Sequence, residues 1–326
     1  MNQSLNTLDI SHFSTMQNRS ADRMDFEIVT AFTTSIFGGN PAAIVFLDKM
    51  LPNEVLQKVN DNFNQPIGVF VFPPESNTPP KNGRAVFGLR WFGPRNEMRI
   101  CGHGTLAAAE VIFRRLEPAE NITTLEFETL SGILTAHRVG DQISMELPAG
   151  TTVPASPEES AVVGNIFARA LAKPIVNIRY VGYGGPGFTN YLLVEVDEAE
   201  NLSEWRPNTD AFAELGPRTQ ILVVTSAGRT KGIAYETRMF APTIGVPEDH
   251  VCGSAHCLNA PYWAAKAQDG GVAGGLADGK PQHAKAVSAR GGDIWASYFA
   301  TRDRVQIRGH VKPVAVGTLD LTDILN

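Results

Sequence analysis

The sequence is poor in several features that would each indicate a particular class of protein. Its 326 residues include only three cysteines, Cys101, Cys252 and Cys257, which argues against a disulfide framework. A small, odd number of cysteines is typical of a reducing compartment, and we expect a cytoplasmic protein. No apolar run approaches the roughly 18 residues of a membrane span, so no membrane contact is expected. Residues 1–23 are polar and have no signal-peptide core, which predicts a flexible N-terminal extension.

Basic residues are also too few and too scattered for a nucleic-acid surface. The chain has 28 Lys and Arg residues against 34 Asp and Glu residues, and its net charge is -6. We therefore expect no nucleic-acid partner. Hydrophobic residues make up 43% of the chain, which is enough for two cores of ordinary domain size.

A short internal repeat divides the chain into two similar halves. Residues 90–94 read Arg-Trp-Phe-Gly-Pro, and residues 238–242 read Arg-Met-Phe-Ala-Pro. Each copy is followed by a loop, a Cys-Gly pair and an Ala-rich segment that favours a helix. The two pairs are Cys101-Gly102 and Cys252-Gly253. The same order of features in both halves predicts a duplicated, pseudo-symmetric architecture.

Elsewhere the pattern favours short strands over helices. Helices are predicted over residues 51–60, 105–115, 158–171 and 255–267. The remaining segments rarely alternate between strand and helix, so the α/β (α+β) fold should contain mixed, mainly antiparallel sheets. The residues from Pro148 to Pro157 are rich in Pro, Ala, Thr and Ser and predict a linker. The predicted domains are therefore residues 24–150 and 151–326.

A Cys-Gly pair at the start of a helix has a specific chemistry. The first helical turn leaves backbone N–H groups unpaired, and these groups and the helix dipole attract anions. Cysteine in this position has a lowered pKa, and glycine lets a ligand approach the backbone. Two such sites acting on one carbon could remove a proton with one sulfur and return it with the other. That inversion needs no metal and no organic cofactor, and none is expected.

Several residues near these pairs have more than one interpretation. Cys257 has no counterpart in the first half and is expected to be a core residue. His103 is either an acid/base group or a capping side chain. Glu248 and Asp249 are either functional or ordinary acids near a helix N-terminus. A metal held by the two Cys-Gly pairs with His103 and His256 is not expected, because the usual zinc-binding spacings are missing.

Taken in order, these motifs resemble the phenazine-biosynthesis (PhzF-like) family, which has the diaminopimelate-epimerase fold. The resemblance covers residues 24–320. The residues that carry it are Phe37-Gly38-Gly39-Asn40-Pro41, Cys101-Gly102-His103-Gly104-Thr105-Leu106-Ala107, Arg238-Met239-Phe240-Ala241-Pro242, Glu248-Asp249, Gly253-Ser254-Ala255-His256 and Ser288-Ala289-Arg290-Gly291-Gly292.

The resemblance implies a fold and an assembly. Each of two domains would have a curved sheet around a central helix, and both would contribute to one active site. The last strand, after about residue 311, would return to the first domain. Homodimers are common in this family, and we expect one here.

Two departures from the family pattern bear on the mechanism. The family usually has a glutamate acid/base where this chain has Gln65, which cannot exchange a proton. It usually has threonine where this chain has Cys252. The diaminopimelate-epimerase and proline-racemase branches have cysteine at both corresponding places, and the former has a glutamine resembling Gln65. Both departures favour proton transfer by two thiols.

The resemblance also assigns roles to the candidate site residues. Cys101 and Cys252 would transfer protons, and Asp249 would orient groups beside the second thiol. The substrate, a small carboxylic acid, would be bound by side chains of Asn40, Gln65 and His103 and by backbone N–H groups of Gly102, Gly253 and Ser254.

The expected function is a cofactor-independent epimerase or racemase acting at the α-carbon of a small amino, imino or related acid. One alternative is a PhzF-like isomerase that moves a hydrogen and a double bond, with His103 and Asp249 as acid and base. Others are a dehydratase with a single catalytic thiol, an inactive binding protein, and a redox sensor in which Cys101 and Cys252 form a disulfide.

Overall fold

The structure, a computed structural model, describes residues 23–76, 83–116, 121–268 and 278–321. The extension expected over residues 1–23 lies outside these ranges except for Arg23. The chain divides into two compact units. Unit 1 consists of residues 1–30, 41–143 and 311–326, and unit 2 of residues 31–40 and 144–310. The domain limits drawn from the sequence remain predictions.

The described residues form four α-helices and eighteen strands. The helices are α1 (Asn53–Phe63), α2 (Gly102–Arg115), α3 (Pro157–Ala170) and α4 (His256–Gln268). In chain order the strands are β1 (Arg23–Ala31), β2 (Asn40–Phe46), β3 (Gly68–Phe72), β4 (Arg84–Phe92), β5 (Glu97–Met98), β6 (Thr124–Thr129), β7 (Gly132–Val139), β8 (Gln142–Pro148), β9 (Thr152–Pro154), β10 (Ile178–Gly184), β11 (Tyr191–Val196), β12 (Ile221–Ala227), β13 (Tyr235–Ala241), β14 (Val246–Asp249), β15 (Gln282–Ala286), β16 (Gly292–Phe299), β17 (Arg304–Gly309) and β18 (Val311–Asp320).

In unit 1 the strands form a mixed ladder. β2 runs parallel to β3, β3 antiparallel to β4, and β4 parallel to β6, which is antiparallel to β7. The short strand β5 pairs antiparallel with the end of β4. At the other end of the chain, β18 pairs with β1. Parallel neighbours need a crossover, and α1 and α2 supply the two crossovers of this unit.

Unit 2 repeats this ladder. β11 runs parallel to β12, β12 antiparallel to β13, and β13 parallel to β15, which is antiparallel to β16. The short strand β14 pairs antiparallel with β13, as β5 does with β4. The helix after the short strand is α4, the counterpart of α2. The crossover from β11 to β12 contains 3-10 helices at Glu198–Glu200, Leu202–Glu204 and Thr209–Leu215 instead of an α-helix. The shared ladder confirms the predicted mixed sheets and supports duplication.

The helix that follows the first Cys-Gly pair is buried along most of its length. In α2 every residue from His103 to Ala109 is buried. The small side chains of Ala107, Ala108 and Ala109 allow the surrounding strands to approach closely. A helix that is buried on all sides and not on one face is a central element of its core.

Each unit has its own apolar core. In unit 1, Leu56 and Val59 of α1 pack with Val45 of β2 and Phe70 of β3. In unit 2, Phe167 of α3 packs with residues of β10, β11 and β12, and with Trp205 and Phe212. α3 begins with a capping box, in which Ser156 and Glu159 satisfy each other's backbone N–H groups.

The segment over residues 148–157, predicted as a linker, lies within unit 2. β9 pairs with β10, and Ser156 caps α3. Pro261 lies inside α4 and cannot donate to the carbonyl of Cys257, so the N–H of Gly150 donates to it instead, at 2.8 Å. A Cβ on Gly150 would lie 2.7 Å from both Leu258 Cδ2 and Phe188 Cδ2, so a larger residue here would displace these side chains.

None of the helices in the described part of the chain combines the length and the apolar character needed to cross a membrane.

Candidate active site

In unit 1 the first Cys-Gly pair lies where α2 begins. Cys101 is the N-cap residue of α2, in an extended conformation, and Gly102 is the first helical residue. The Sγ of Cys101 lies 3.4 Å from Nδ1 of His103, and His103 is buried. Thr105 donates its hydroxyl hydrogen bond to the Cys101 carbonyl at 2.7 Å. We call Cys101, His103 and Thr105 the first thiol cluster.

Side chains of neighbouring strands pack closely against Gly104 in the first turn of α2. A Cβ on Gly104 would lie 3.0 Å from both Trp91 Cδ1 and Val69 Cγ2, and 3.2 Å from Cys101 Sγ. The space in front of Gly104 is therefore bounded by side chains from β3 and β4 and by the sulfur of Cys101. Glycine at this position lets the first turn of α2 approach the sheet.

Gln65 lies directly after the end of α1. Asn64 ends this helix in the left-handed conformation, with φ of 49°. The Gln65 side-chain amide donates to the backbone carbonyl of Phe63 at 3.0 Å, so the contact that orients it is local. Its role in substrate binding, and that of the Gly102 N–H, remain predictions.

In unit 2 the second thiol is the start of a hydrogen-bond chain. The Sγ of Cys252 lies 3.3 Å from the Ser254 hydroxyl, and the Tyr191 hydroxyl donates to Ser254 Oγ at 3.1 Å. Cys252 and Tyr191 are both buried. We call Cys252, Ser254 and Tyr191 the second thiol cluster. Tyr191, the first residue of β11, was not predicted, because no local motif marks it.

The electrostatic surroundings of Cys252 differ from those expected for a helix N-terminus. Burial, followed by the negative charge of Asp249, raises the pKa of the Cys252 thiol above its ordinary value. The expected lowering of the pKa is wrong, since α4 begins only at His256 and Gly253 lies in the preceding turn. In its resting state Cys252 therefore carries its proton.

Asp249 is held by Asn40. The Asn40 side-chain amide donates to Asp249 Oδ1 at 2.5 Å and to the Val251 carbonyl at 3.0 Å. Asn40 is fully buried, and its own carbonyl oxygen has no hydrogen-bond partner within the described residues. The structure thus brings together two of the predicted site residues, which are 209 positions apart in the sequence.

The loop that carries Asn40 is anchored by a motif late in the chain. The Arg290 guanidinium donates to the carbonyls of Gly38 and Gly39, each at 2.9 Å, and the Gly39 N–H donates to Gly291 at 2.7 Å. The Ser288–Gly292 motif in the sequence marked this region, although the sequence did not indicate its role in anchoring.

His256 is occupied in a structural contact. Its Nδ1 shares a hydrogen bond of 2.7 Å with the Tyr235 hydroxyl, and burial lowers the pKa of His256 to about 3. In the described part of the chain, no three His, Cys, Asp or Glu side chains form a group that could hold a metal ion.

Comparison with solved structures identifies the class of the fold. A hydroxyproline epimerase from Agrobacterium vitis superposes with a TM-score of 0.53 at 11% identity, covering 93% of this chain and 94% of that one. At this identity the similarity concerns the fold alone. The chain therefore has the epimerase fold, in agreement with the fold predicted from the motifs.

Closer relatives identify the family. The family model described as phenazine biosynthesis-like protein matches residues 29–317. An uncharacterized isomerase of Pseudomonas aeruginosa is 34% identical over 303 residues, which cover 92% of this chain and 100% of that protein. A PhzF-family crystal structure from Enterococcus faecalis has a TM-score of 0.74 at 28% identity, covering 92% of this chain and 100% of that one. The chain belongs to the phenazine biosynthesis-like (PhzF) family.

Proposed function

We propose that this protein is a cofactor-independent epimerase or racemase acting at the α-carbon of a small amino, imino or related carboxylic acid. One observation carries the proposal. Both copies of the repeated Cys-Gly motif have a thiol, and each thiol lies within hydrogen-bond distance of a side chain that can share its proton. The partners are His103 for Cys101 and Ser254 for Cys252.

The proposed reaction moves one proton off the α-carbon and another onto it. The Cys101 thiolate, with its proton on His103, takes the α-hydrogen, and the bonding electrons pass into the substrate carboxylate. Cys252 then gives its proton to the opposite face of the carbon. Backbone N–H groups of Gly102, Gly253 and Ser254 would stabilise the charge on the carboxylate. The reverse reaction exchanges the two roles.

The burial of Cys252 suits the role of a proton donor. Because burial raises its pKa, the Cys252 thiol keeps its proton until a carbanion forms at the α-carbon and accepts it. The named relatives support the same broad class of activity. The Pseudomonas aeruginosa relative is named an isomerase, and the Agrobacterium vitis epimerase binds trans-4-hydroxy-L-proline. Hydroxylated and plain imino acids therefore belong in the first substrate panel.

The test is exchange of the α-proton with solvent. The protein would be incubated under reducing conditions with amino and imino acids in deuterated water, and loss of the α-proton followed by NMR. We expect wild type to exchange and racemise a substrate and Cys101→Ser and Cys252→Ser to lose racemisation. Cys257→Ser is the matched control, because Cys257 is a buried thiol of the same unit as Cys252 and should leave activity unchanged. Exchange undiminished in both serine variants would exclude the two-thiol mechanism.

A second candidate is a PhzF-like isomerase that moves a hydrogen and a double bond in a cyclic or conjugated acid. The hydrogen bond between Asn40 and Asp249 favours it, because it holds a carboxylate that could act as acid and base with His103. Cys252→Thr separates the two candidates. This change should abolish epimerisation and leave the movement of a double bond largely intact.

The remaining alternatives differ in product. A dehydratase with a single thiol would release water from a hydroxy acid and give a product 18 mass units lighter, about the mass of one water. A binding protein without activity would bind carboxylic acids and turn over none of them. We also propose that the protein is a cytoplasmic homodimer. Analytical sedimentation of the purified chain would test the oligomeric state.

A further inference from the structure

Each repeated pentapeptide begins with an arginine that makes a bidentate ion pair with a glutamate. Arg90 donates from Nε and Nη2 to the two carboxylate oxygens of Glu97, at 2.6 and 2.5 Å. Arg238 donates in the same way to Glu248, at 2.7 and 2.8 Å. Parallel N–H···O bonds of this kind fix both the distance and the plane of the pair.

Both glutamates lie four residues before a cysteine of the candidate site. Glu97 precedes Cys101, and Glu248 precedes Cys252. The short strands also share one equivalent pairing, although β14 has a register irregularity after it. Trp91 pairs with Met98, and Met239 pairs with Asp249. In both units, therefore, the residue after the arginine pairs with the residue after the glutamate. The two ion pairs are therefore equivalent parts of the duplicated ladder.

Each guanidinium also holds the crossover that joins the parallel strands of its unit. Arg90 Nη2 donates to the side chain of Asn53, the first residue of α1, at 2.9 Å. Arg238 Nη1 donates to the carbonyls of Leu202 and Trp205, at 3.0 and 2.9 Å. One charged group thus connects a central strand, a crossover and the segment that leads to the thiol.

The burial of these pairs distinguishes them from ordinary surface ion pairs. The Arg238 side chain is 4% exposed and that of Arg90 is 14% exposed, whereas Arg179 in a surface pair with Asp197 is 64% exposed. A buried charge that loses its partner is strongly destabilising, so the segment cannot leave the guanidinium at low cost.

We propose that Arg90–Glu97 and Arg238–Glu248 are positioning pairs, each of which holds the sulfur of the cysteine that follows it, Cys101 or Cys252, at its place in the unit. The role of those sulfurs in proton transfer rests on the proposed function, whereas the placement of the sulfurs by the ion pairs is independent of it. The residues of these two pairs are not catalytic, because each pair acts through the segment that leads to its cysteine.

The test reads each sulfur directly. Cysteine labelled with ¹³C at Cβ gives three NMR signals, which single Cys→Ser variants assign. We expect Glu97→Gln and Arg90→Lys to shift the Cys101 signal and to leave Cys252 and Cys257 in place. Glu248→Gln and Arg238→Lys should shift Cys252 and leave Cys101. Loss of a charged hydrogen bond should also increase the rate of local amide exchange by about tenfold. We expect this increase at residues 98–101 in the variants of the first pair and at residues 249–252 in those of the second.

Matched controls come from ion pairs that have a buried carboxylate and lie at the last turns of α2 and α4. Glu27 pairs with Arg114 and Arg115 in unit 1, and Glu195 pairs with Lys266 in unit 2. Glu27→Gln and Glu195→Gln should lower thermal stability and shift no cysteine signal. The milder Arg→Lys variants keep the charge, and they provide the measurement if a Glu→Gln variant fails to fold.

Two outcomes would overturn the proposal. The cysteine that follows an altered positioning pair could keep its signal and its local amide exchange. Alternatively, Cys101 and Cys252 could shift together in every destabilised variant, controls included. Because these readouts need no substrate, a failure of epimerase activity in wild type leaves the result on positioning unaffected.

Discussion

The side-chain amide of Asn40 donates to the carboxylate of Asp249 at 2.5 Å. A second hydrogen bond from the same amide reaches the Val251 carbonyl, so Asn40 holds the strand end that leads to Cys252 at two points. Because both partners are acceptors, only the amide nitrogen of asparagine or a similar donor satisfies them.

Replacing Asn40 should therefore cost both stability and activity. In Asn40→Ala the buried carbonyl of Val251 and the half-buried carboxylate of Asp249 lose their donor, and we expect a loss of about 2–4 kcal/mol in the free energy of unfolding. Asn190→Ala is the control, because the Asn190 amide bonds to Gln220 on the surface and should change stability by about 0.5 kcal/mol or less. Urea unfolding of both variants measures the difference, and equal losses would contradict the prediction.

The Tyr191 hydroxyl should tune the thiol of Cys252 through Ser254. With Tyr191 donating to Ser254 Oγ, the serine hydrogen can donate to the sulfur and favour the thiolate. Tyr191→Phe removes this arrangement, so the pKa of Cys252 should rise further. In a background without Cys101 and Cys257, the reaction of Cys252 with a small methanethiosulfonate should slow by about fivefold at fixed pH, the worth of one neutral hydrogen bond.

A tyrosine elsewhere in unit 2 provides the comparison for this experiment. Tyr180 bonds to Thr152 through its hydroxyl, and Tyr180→Phe should leave the reaction rate of Cys252 unchanged. Equal rates in Tyr191→Phe and in the parent would show that the chain to the sulfur has no effect on it.

His256 should make the stability of the fold depend on pH. Burial lowers its pKa from 6.5 to about 3. Below pH 6.5 the imidazole is therefore protonated in the unfolded chain but stays neutral in the folded chain. Stability is complete above pH 6.5 and falls toward pH 3. By pH 5 the loss should be about 2 kcal/mol.

Urea unfolding at several pH values measures this loss. In His256→Gln the decrease between pH 7.5 and pH 5 should be smaller than in wild type by about that 2 kcal/mol, because all other titrating groups are shared. Parallel curves for the two proteins would show that His256 is not the cause.

Gly104→Ala should displace the sulfur of Cys101. The new methyl group would lie 3.2 Å from Sγ and 3.0 Å from Trp91 and Val69, so these neighbours must move by a few tenths of an ångström. We expect a shifted ¹³Cβ signal for Cys101 and destabilisation of about 1–3 kcal/mol.

The same substitution in α3 is the control. Gly164 has no atom within 4 Å of its missing Cβ, and Gly164→Ala should stabilise the protein by about 0.5–1 kcal/mol through helix propensity. If Gly104→Ala were also stabilising and the Cys101 signal did not move, the close packing of the sulfur would be wrong.

The sequence predicted elements whose own residues specify them. Tyr191–Val196, in which every residue but Glu195 is apolar or aromatic, is the strand that its residue types favour. By contrast, Gln282–Ala286 has no β-branched or aromatic residue, and was not predicted as a strand. It is a strand because β13 and β16 pair with it on both sides, so its neighbours and not its own propensity decide the outcome.

The candidate site shows the same division. The repeated Cys-Gly pairs, Asn40 and Asp249 could be found from motifs. The ion pairs could not, because Arg90 and Glu97 acquire their meaning only when β5 folds back on β4. The pKa of Cys252 could not be predicted either, since it depends on burial by residues distant in sequence.

The pairing of β18 with β1 has a consequence for synthesis on the ribosome. Thr318 bonds to Asp25, and Leu319 and Leu321 pack beside Phe26 and Met24, so unit 1 lacks a strand until residues 311–321 have emerged. The segment of unit 2 from Ser144 to His310 is translated earlier. Nascent chains usually fold from the N-terminus onward. Here β1 must wait for β18, which follows the whole of that segment, and we expect unit 2 to be complete before unit 1.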